Sequence, residues 1–135
     1  MTRHHARTAN DPADVTARGP LRRFEVTWRR VTSGLTQPTE VTSAPDGRKR
    51  LFVVQKGGTV RIVRDGRVAG KPYLSIGGRI NPSGEGGLLS LAFSPSFRKD
   101  GLLWITYSAA GDGDLVVARM KARNPGATRV SAKTL

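Results

Sequence analysis

Cysteine is absent from the 135 residues, which excludes a disulfide scaffold, thiolate zinc sites and thiol catalysis. Histidine is confined to His4 and His5, so residues 6–135 hold no imidazole to act as a base near neutral pH. Aromatic residues make up 6% and hydrophobic residues 37%, a lean supply for a self-sufficient core. No apolar run approaches the ~18 residues that a membrane-spanning helix needs. The first 30 residues carry seven arginines and lack the apolar stretch of an export signal, so the expected location of the chain as it stands is cytoplasmic. Acidic side chains are also scarce, 10 against 23 basic ones, which leaves a net charge of +13.

What is abundant is punctuation. Sixteen glycines and eight prolines imply many turns, hence short strands rather than long helices. Residues 1–23 show no hydrophobic periodicity and are expected to form a disordered basic leader, unable to bury enough apolar surface to offset its ordering entropy. From Phe24 the texture changes to short apolar runs between turn signals. Strands are expected over Phe24–Val31, Glu40–Ala44, Leu51–Gln55, Thr59–Arg64, Arg67–Val68, Gly87–Phe93, Leu102–Ser108 and Leu115–Met120. Pro45-Asp46-Gly47 reads as a turn, and Asp65-Gly66 as a two-residue hairpin loop with positive φ at both positions. Phe52, Phe93, Trp104 and Tyr107 lie inside apolar strands, as core residues should. No stretch has helical spacing, so the fold class is all-β.

A weak repeat organises these strands. Val41-Thr42-Ser43-Ala44-Pro45, a basic turn and Leu51-Phe52-Val53-Val54 parallel Leu91-Ala92-Phe93-Ser94-Pro95, a basic turn and Leu102-Leu103-Trp104-Ile105. Pro45 and Pro95 stand 50 residues apart. A period of ~40–50 residues with three or four strands per unit marks propeller blades, and closed propellers need ~4–8 of them. About two fit in residues 24–135, so a partial β-propeller is expected, with self-association through its unpaired edges.

The block from Ser83 through Gly84-Glu85-Gly86-Gly87-Leu88-Leu89-Ser90-Leu91-Ala92-Phe93-Ser94-Pro95 to Phe97 resembles the signature of the glucose/sorbosone dehydrogenase family. Gly34-Leu35-Thr36-Gln37-Pro38, the run from Pro45 to Gly58, and Gly101–Ser108 agree with it, so that the resemblance spans roughly residues 31–123. The resemblance implies the N-terminal blades of a six-bladed propeller that oxidises a sugar hydroxyl with pyrroloquinoline quinone (PQQ). Calcium ions would hold that cofactor and the subunit. It also implies that Glu85 lies beside the cofactor in the complete protein, with Gly84, Gly86 and Gly87 letting the backbone come close to a flat ligand. Read without the resemblance, Glu85 is a solvated loop carboxylate. The family's catalytic histidine, most cofactor contacts and its calcium ligands belong to later blades, so this chain alone is expected to hold neither PQQ nor calcium and to be inactive. Where relatives often carry histidine, this chain has Ser94.

Other signals are weaker. Ser96-Phe97-Arg98-Lys99 matches a Ser-x-x-Lys pattern whose chemistry needs the serine at a helix start, whereas Pro95 and Gly101 frame an inter-strand turn. Asp112-Gly113-Asp114 lacks the further oxygen ligands of a calcium site and reads as a hairpin turn. Gly84–Gly87 has no Gly-Lys-Ser/Thr sequel and is not a nucleotide loop. The basic charge is scattered, densest in the leader and at Arg48-Lys49-Arg50, without interleaved stacking aromatics, so no specific nucleic-acid partner is expected. A basic nucleic-acid module therefore stays a remote reading. The other alternative to an enzyme is a propeller segment used purely as a binding surface.

Overall fold

Short β-branched runs between tight turns build two antiparallel sheets. The computed structural model describes residues 26–122 together with Asn124 and Gly126; the leader expected over residues 1–23 lies outside them. Sheet one is formed by β1 (Pro38–Ser43), β2 (Leu51–Gln55), β3 (Thr59–Arg64) and β4 (Arg67–Val68) in that order, and β5 (Leu74–Ser75) also pairs with β3. Sheet two is the meander β6 (Leu88–Phe93), β7 (Leu102–Ser108) and β8 (Leu115–Lys121). Asp65 (φ 49°) and Gly66 (φ 76°) close the β3–β4 hairpin with positive φ at both positions, as the Asp-Gly pair requires. No helix among the described residues is long and apolar enough to cross a membrane.

The repeat is visible in the strands themselves. β1 ends at Ser43 and β6 at Phe93, again 50 residues apart. Each first strand carries a β-bulge at the same place, between Pro38 and Glu40 in one sheet and between Leu88 and Ser90 in the other. These two strands lie side by side and are fastened by side chains. The Thr39 hydroxyl donates to the Leu88 carbonyl at 3.0 Å, and the Glu40 carboxylate accepts the Leu91 N–H at 2.6 Å.

The core lies between the sheets. Phe52, Val54, Val60, Ile62 and Leu74 of the first meet Leu88, Leu91, Leu103, Ile105 and Met120 of the second. An aromatic chain crosses this layer, with ring centroids 4.7–4.8 Å apart along Tyr73, Phe52, Phe93 and Phe97.

The structure changes four of the expectations. Residues 26–31, expected as part of a strand with Phe24 and Glu25 beyond the described residues, are irregular, and Trp28 is 94% exposed. Alternation makes a strand only where a sheet edge offers hydrogen-bond partners; among the described residues no strand pairs with 26–31, and Val31 only passes the tip of the β3–β4 hairpin at Gly66. Trp104 is not in the core. It pairs with Ala92 and Arg119 on the outer face of sheet two, because its neighbours Leu103 and Ile105 take the inward positions. The turn after Pro95 contains one helical turn, α1 (Phe97–Asp100), which buries Phe97 completely and ends at Gly101 (φ 67°). Its four residues are too few to show a period in the sequence. β5, with a 3-10 turn at Gly77–Arg79 behind it, was likewise too short to be read.

Sheet two has a second face. Ala92, Trp104, Thr106, Leu115 and Val117 share it through their cross-strand pairing, and Leu115 and Val117 are exposed. Burying a Leu or Val side chain fully is worth ~1.5–3 kcal/mol. The isolated chain is therefore expected to self-associate in a concentration-dependent way in sedimentation velocity runs. Leu115→Lys with Val117→Lys should move the midpoint at least tenfold higher; a wild-type chain that stays monomeric at all concentrations would contradict this.

Candidate functional site

The loop that enters β6 gathers at one end of the two sheets. Its course is fixed from within: the Ser83 N–H donates to Asn81 Oδ1 at 3.1 Å, and the Gly86 N–H to the Ser83 carbonyl at 2.8 Å. Residues on either side tie it to both sheets. The Leu88 N–H donates to the Lys56 carbonyl at 3.0 Å, the Ser108 N–H to the Gly87 carbonyl at 3.0 Å, and the Lys56 ammonium to the Gly84 carbonyl. The loop between β7 and β8 stands beside it, with the Asn81 N–H donating to the Ser108 carbonyl at 2.9 Å.

Within this loop Glu85 is exposed, and among the described residues its carboxylate joins no ion pair. The three glycines around it have different reasons to be glycine. A Cβ on Gly87 (φ 130°) would stand 2.6 Å from the Lys56 carbonyl oxygen, and one on Gly86 would collide with the Asn81 and Ser83 carbonyls. Both are demanded by the protein's own backbone. Gly84 (φ 52°) has nothing within 4 Å of its Cβ position. Open space beside the loop thus exists at Gly84, next to Glu85.

Lys56 is the residue that sequence reasoning missed. It follows β2 and links sheet one to the loop by both backbone and side chain. Only its place before Gly57-Gly58 hinted at a turn.

The remaining candidates resolve into structural roles. Ser94 is buried; its hydroxyl donates to Asp100 Oδ2 at 2.6 Å and accepts the Ser96 N–H at 3.1 Å. The Ser94 hydrogen bond, with the Leu102 N–H, holds the Asp100 carboxyl below the usual aspartate range. Ser96 does precede a helical turn that holds Lys99, but Ser96 and Lys99 are both exposed and the turn ends after four residues. Asp112 accepts the Asp114 N–H at 3.1 Å within the β7–β8 hairpin loop, the turn role expected of it.

At the opposite end of the sheets, the turn after β1 holds a buried ion pair. Arg50 Nη2 lies 2.7 Å from Asp46 Oδ2, with both side chains almost fully enclosed, and the guanidinium sits 5.0 Å from the Phe52 ring centroid. Burial alone would push the Asp46 carboxyl up. The Arg50 hydrogen bond, the Arg48 N–H and the two positive charges outweigh it and hold the carboxyl below its ordinary range. Nearby, Tyr73 is buried, and desolvation pushes its phenol far above the usual value, so it stays protonated.

The described residues do not make a PQQ site alone. The cofactor is a planar tricarboxylate that calls for cationic partners, and in this loop the Lys56 ammonium is engaged by the Gly84 carbonyl. No histidine stands anywhere in residues 6–135.

With this geometry in place, comparison with known proteins gives a consistent picture. The profile of the family described as Glucose / Sorbosone dehydrogenase matches residues 35–135. The chain is similar to the PQQ-bound aldose sugar dehydrogenase of Streptomyces coelicolor, at 29% identity and a TM-score of 0.62, over 78% of this chain and 31% of that one. A putative glucose dehydrogenase of Thermus thermophilus shares the fold at 23% identity and a TM-score of 0.65, over 78% of this chain and 30% of that one. Human Hedgehog-interacting protein is 41% identical over 83 residues, which are 58% of this chain and 12% of that protein. The chain thus spans under a third of the sugar dehydrogenases and about an eighth of the Hedgehog-interacting protein. Two sheets with matched inner strands, a 50-residue repeat and a profile covering most of the length make this chain a β-propeller segment that belongs to the glucose/sorbosone dehydrogenase family.

Proposed function

We propose that residues 24–135 form the opening blades of a PQQ-dependent sugar dehydrogenase, and that the loop around Glu85 supplies one wall of its cofactor site. The observation that carries this reading is the likeness to the PQQ-bound Streptomyces coelicolor enzyme, together with the open position at Gly84 beside Glu85. The parent activity would be oxidation of an aldose hydroxyl, with the electrons passed to PQQ. The general base, calcium and the cationic contacts for the cofactor would come from further blades, because the described residues hold none of that set in one place.

The test is made on a propeller in which this chain is completed by the later blades that the family's sugar dehydrogenases carry. Glu85→Ala should weaken PQQ binding about tenfold in a fluorescence titration while leaving the melting temperature within a few degrees, since an exposed loop carboxylate adds little to the core. Unchanged PQQ affinity would remove Glu85 from the site.

A second reading is favoured by one observation. The 41% identity to Hedgehog-interacting protein exceeds the identity to each sugar dehydrogenase compared above. In that reading the propeller is a non-catalytic binding module. Downstream blades without a histidine before a Gly-rich strand turn would support the module over the enzyme.

A further inference from the structure

The end of the sheets opposite Glu85 carries a cavity of about 490 Å³ lined by Asp46, Gly47, Arg48, Arg98, Asn124 and Gly126. Its volume falls in the ~300–1,000 Å³ range of small-ligand pockets, and its walls are mostly polar. The two arginines come from different sheets yet hold the same place in the repeat, 50 residues apart: Arg48 in the turn after β1 and Arg98 in the turn after β6. Fold symmetry therefore brings two guanidinium groups to one opening.

The charge of this opening is positive. Asp46, its one carboxylate, is engaged by Arg50 at 2.7 Å and largely enclosed, so the pair is neutral toward the cavity. Among the described residues, no carboxylate lies in salt-bridge range of the Arg48 or Arg98 side chain. Arg48 is exposed, and the end of its flexible side chain rests on Gly126: a Cβ there would come within 2.5 Å of Arg48 Nη2 and 2.8 Å of its Cζ, so a larger residue would push the guanidinium aside. The Gly126 N–H donates to Asn124 Oδ1 at 2.8 Å.

We propose that this cavity is a binding site for a small organic oxyanion, a phosphate- or carboxylate-bearing molecule gripped between Arg48 and Arg98. Guanidinium is suited to such groups because its planar fork donates two parallel hydrogen bonds to one oxyanion. The site stands apart from the Glu85 loop, and it does not depend on how that loop is used.

Equilibrium dialysis of the 135-residue chain against inorganic pyrophosphate and against citrate reads the binding directly, whatever the chain's state of association. Arg48→Gln with Arg98→Gln should weaken the better of the two ligands at least tenfold. Lys49→Gln with Lys99→Gln removes the same charge from exposed neighbours outside the cavity and should change affinity less than twofold. Gly126→Ala, which displaces the Arg48 guanidinium without changing charge, should weaken binding several-fold. Circular dichroism establishes that each variant keeps its sheet content. Equal losses in the arginine and lysine pairs would show general attraction to a basic surface and overturn the site. So would an absence of saturable binding of both probes by the wild-type chain at roughly 10-millimolar concentrations, on the order of the weakest affinities that matter.

Discussion

Supplied with PQQ and calcium, the 135-residue chain is expected to reduce no dye with any aldose. Oxidation of an alcohol by hydride transfer needs a base positioned at the hydroxyl, and that assistance is worth ~10²–10⁴ in rate. Both histidines lie at positions 4 and 5, ahead of every described strand. Holding cofactor and substrate in register is worth a further ~7–11 kcal/mol, and that demands walls on more than one side. Here the loop around Glu85 offers one exposed carboxylate and one open position, at Gly84. The measurement is PQQ-dependent dye reduction across a panel of aldoses, comparing this chain with a propeller completed by the later blades of a family sugar dehydrogenase. Turnover by the chain alone would overturn the view that its site is shared with other blades.

Asp46→Ala is expected to be the most damaging single change at the other end of the sheets. It leaves Arg50 enclosed without its carboxylate and strips the Arg48 N–H of its acceptor. Breaking a buried pair from one side costs about 3–5 kcal/mol. Replacing both residues of the pair, as in Asp46→Leu with Arg50→Met, should cost less, because the buried cation leaves together with its carboxylate. The pair also sets an acid limit. The Asp46 carboxyl is held lower in the folded chain than in the unfolded one, so its contribution is complete above the ordinary aspartate range. That contribution is lost as pH falls through the lowered folded value. Urea unfolding between about pH 7 and 3, in the Leu115→Lys, Val117→Lys background to suppress association, should show an acid decline that is smaller in the Leu/Met double variant, where the lowered Asp100 carboxyl still contributes. An Asp46→Ala chain with an unshifted midpoint would refute this account.

Much of the architecture was legible because tight turns announce themselves. Asp65-Gly66 fixed the β3–β4 hairpin, and β2, β3, β4 and β7 occupy the expected residues. The 50-residue echo around Pro45 and Pro95 foretold two equivalent units. What escaped was whatever depends on a partner far along the chain. Trp104 reads as a core residue until the register of β6 and β7 sends Leu103 and Ile105 inward. Tyr73 and Phe97, both fully buried, sit in segments with no period at all. At the site, the sequence could mark Glu85 and its glycines, but only the fold reveals that Gly87 makes room for the Lys56 carbonyl. Arg48 and Arg98 looked like scattered charge, because the cavity they share exists only once the two sheets are packed together.

The paired bulges at Thr39 and Leu89 bear on how such a chain can change over time. A bulge bends its strand and adds right-handed twist at one point. Recurring at the same position, it bends the two first strands alike, so that they can lie side by side with Thr39 on Leu88 and Glu40 on Leu91. An added or missing residue at either bulge would shift one strand against the other and break these two fastenings. Single-residue insertions and deletions should therefore be purged at these two positions. They should survive at the hairpin tip 65–66 and in the 109–114 loop, where the register of the two first strands is untouched.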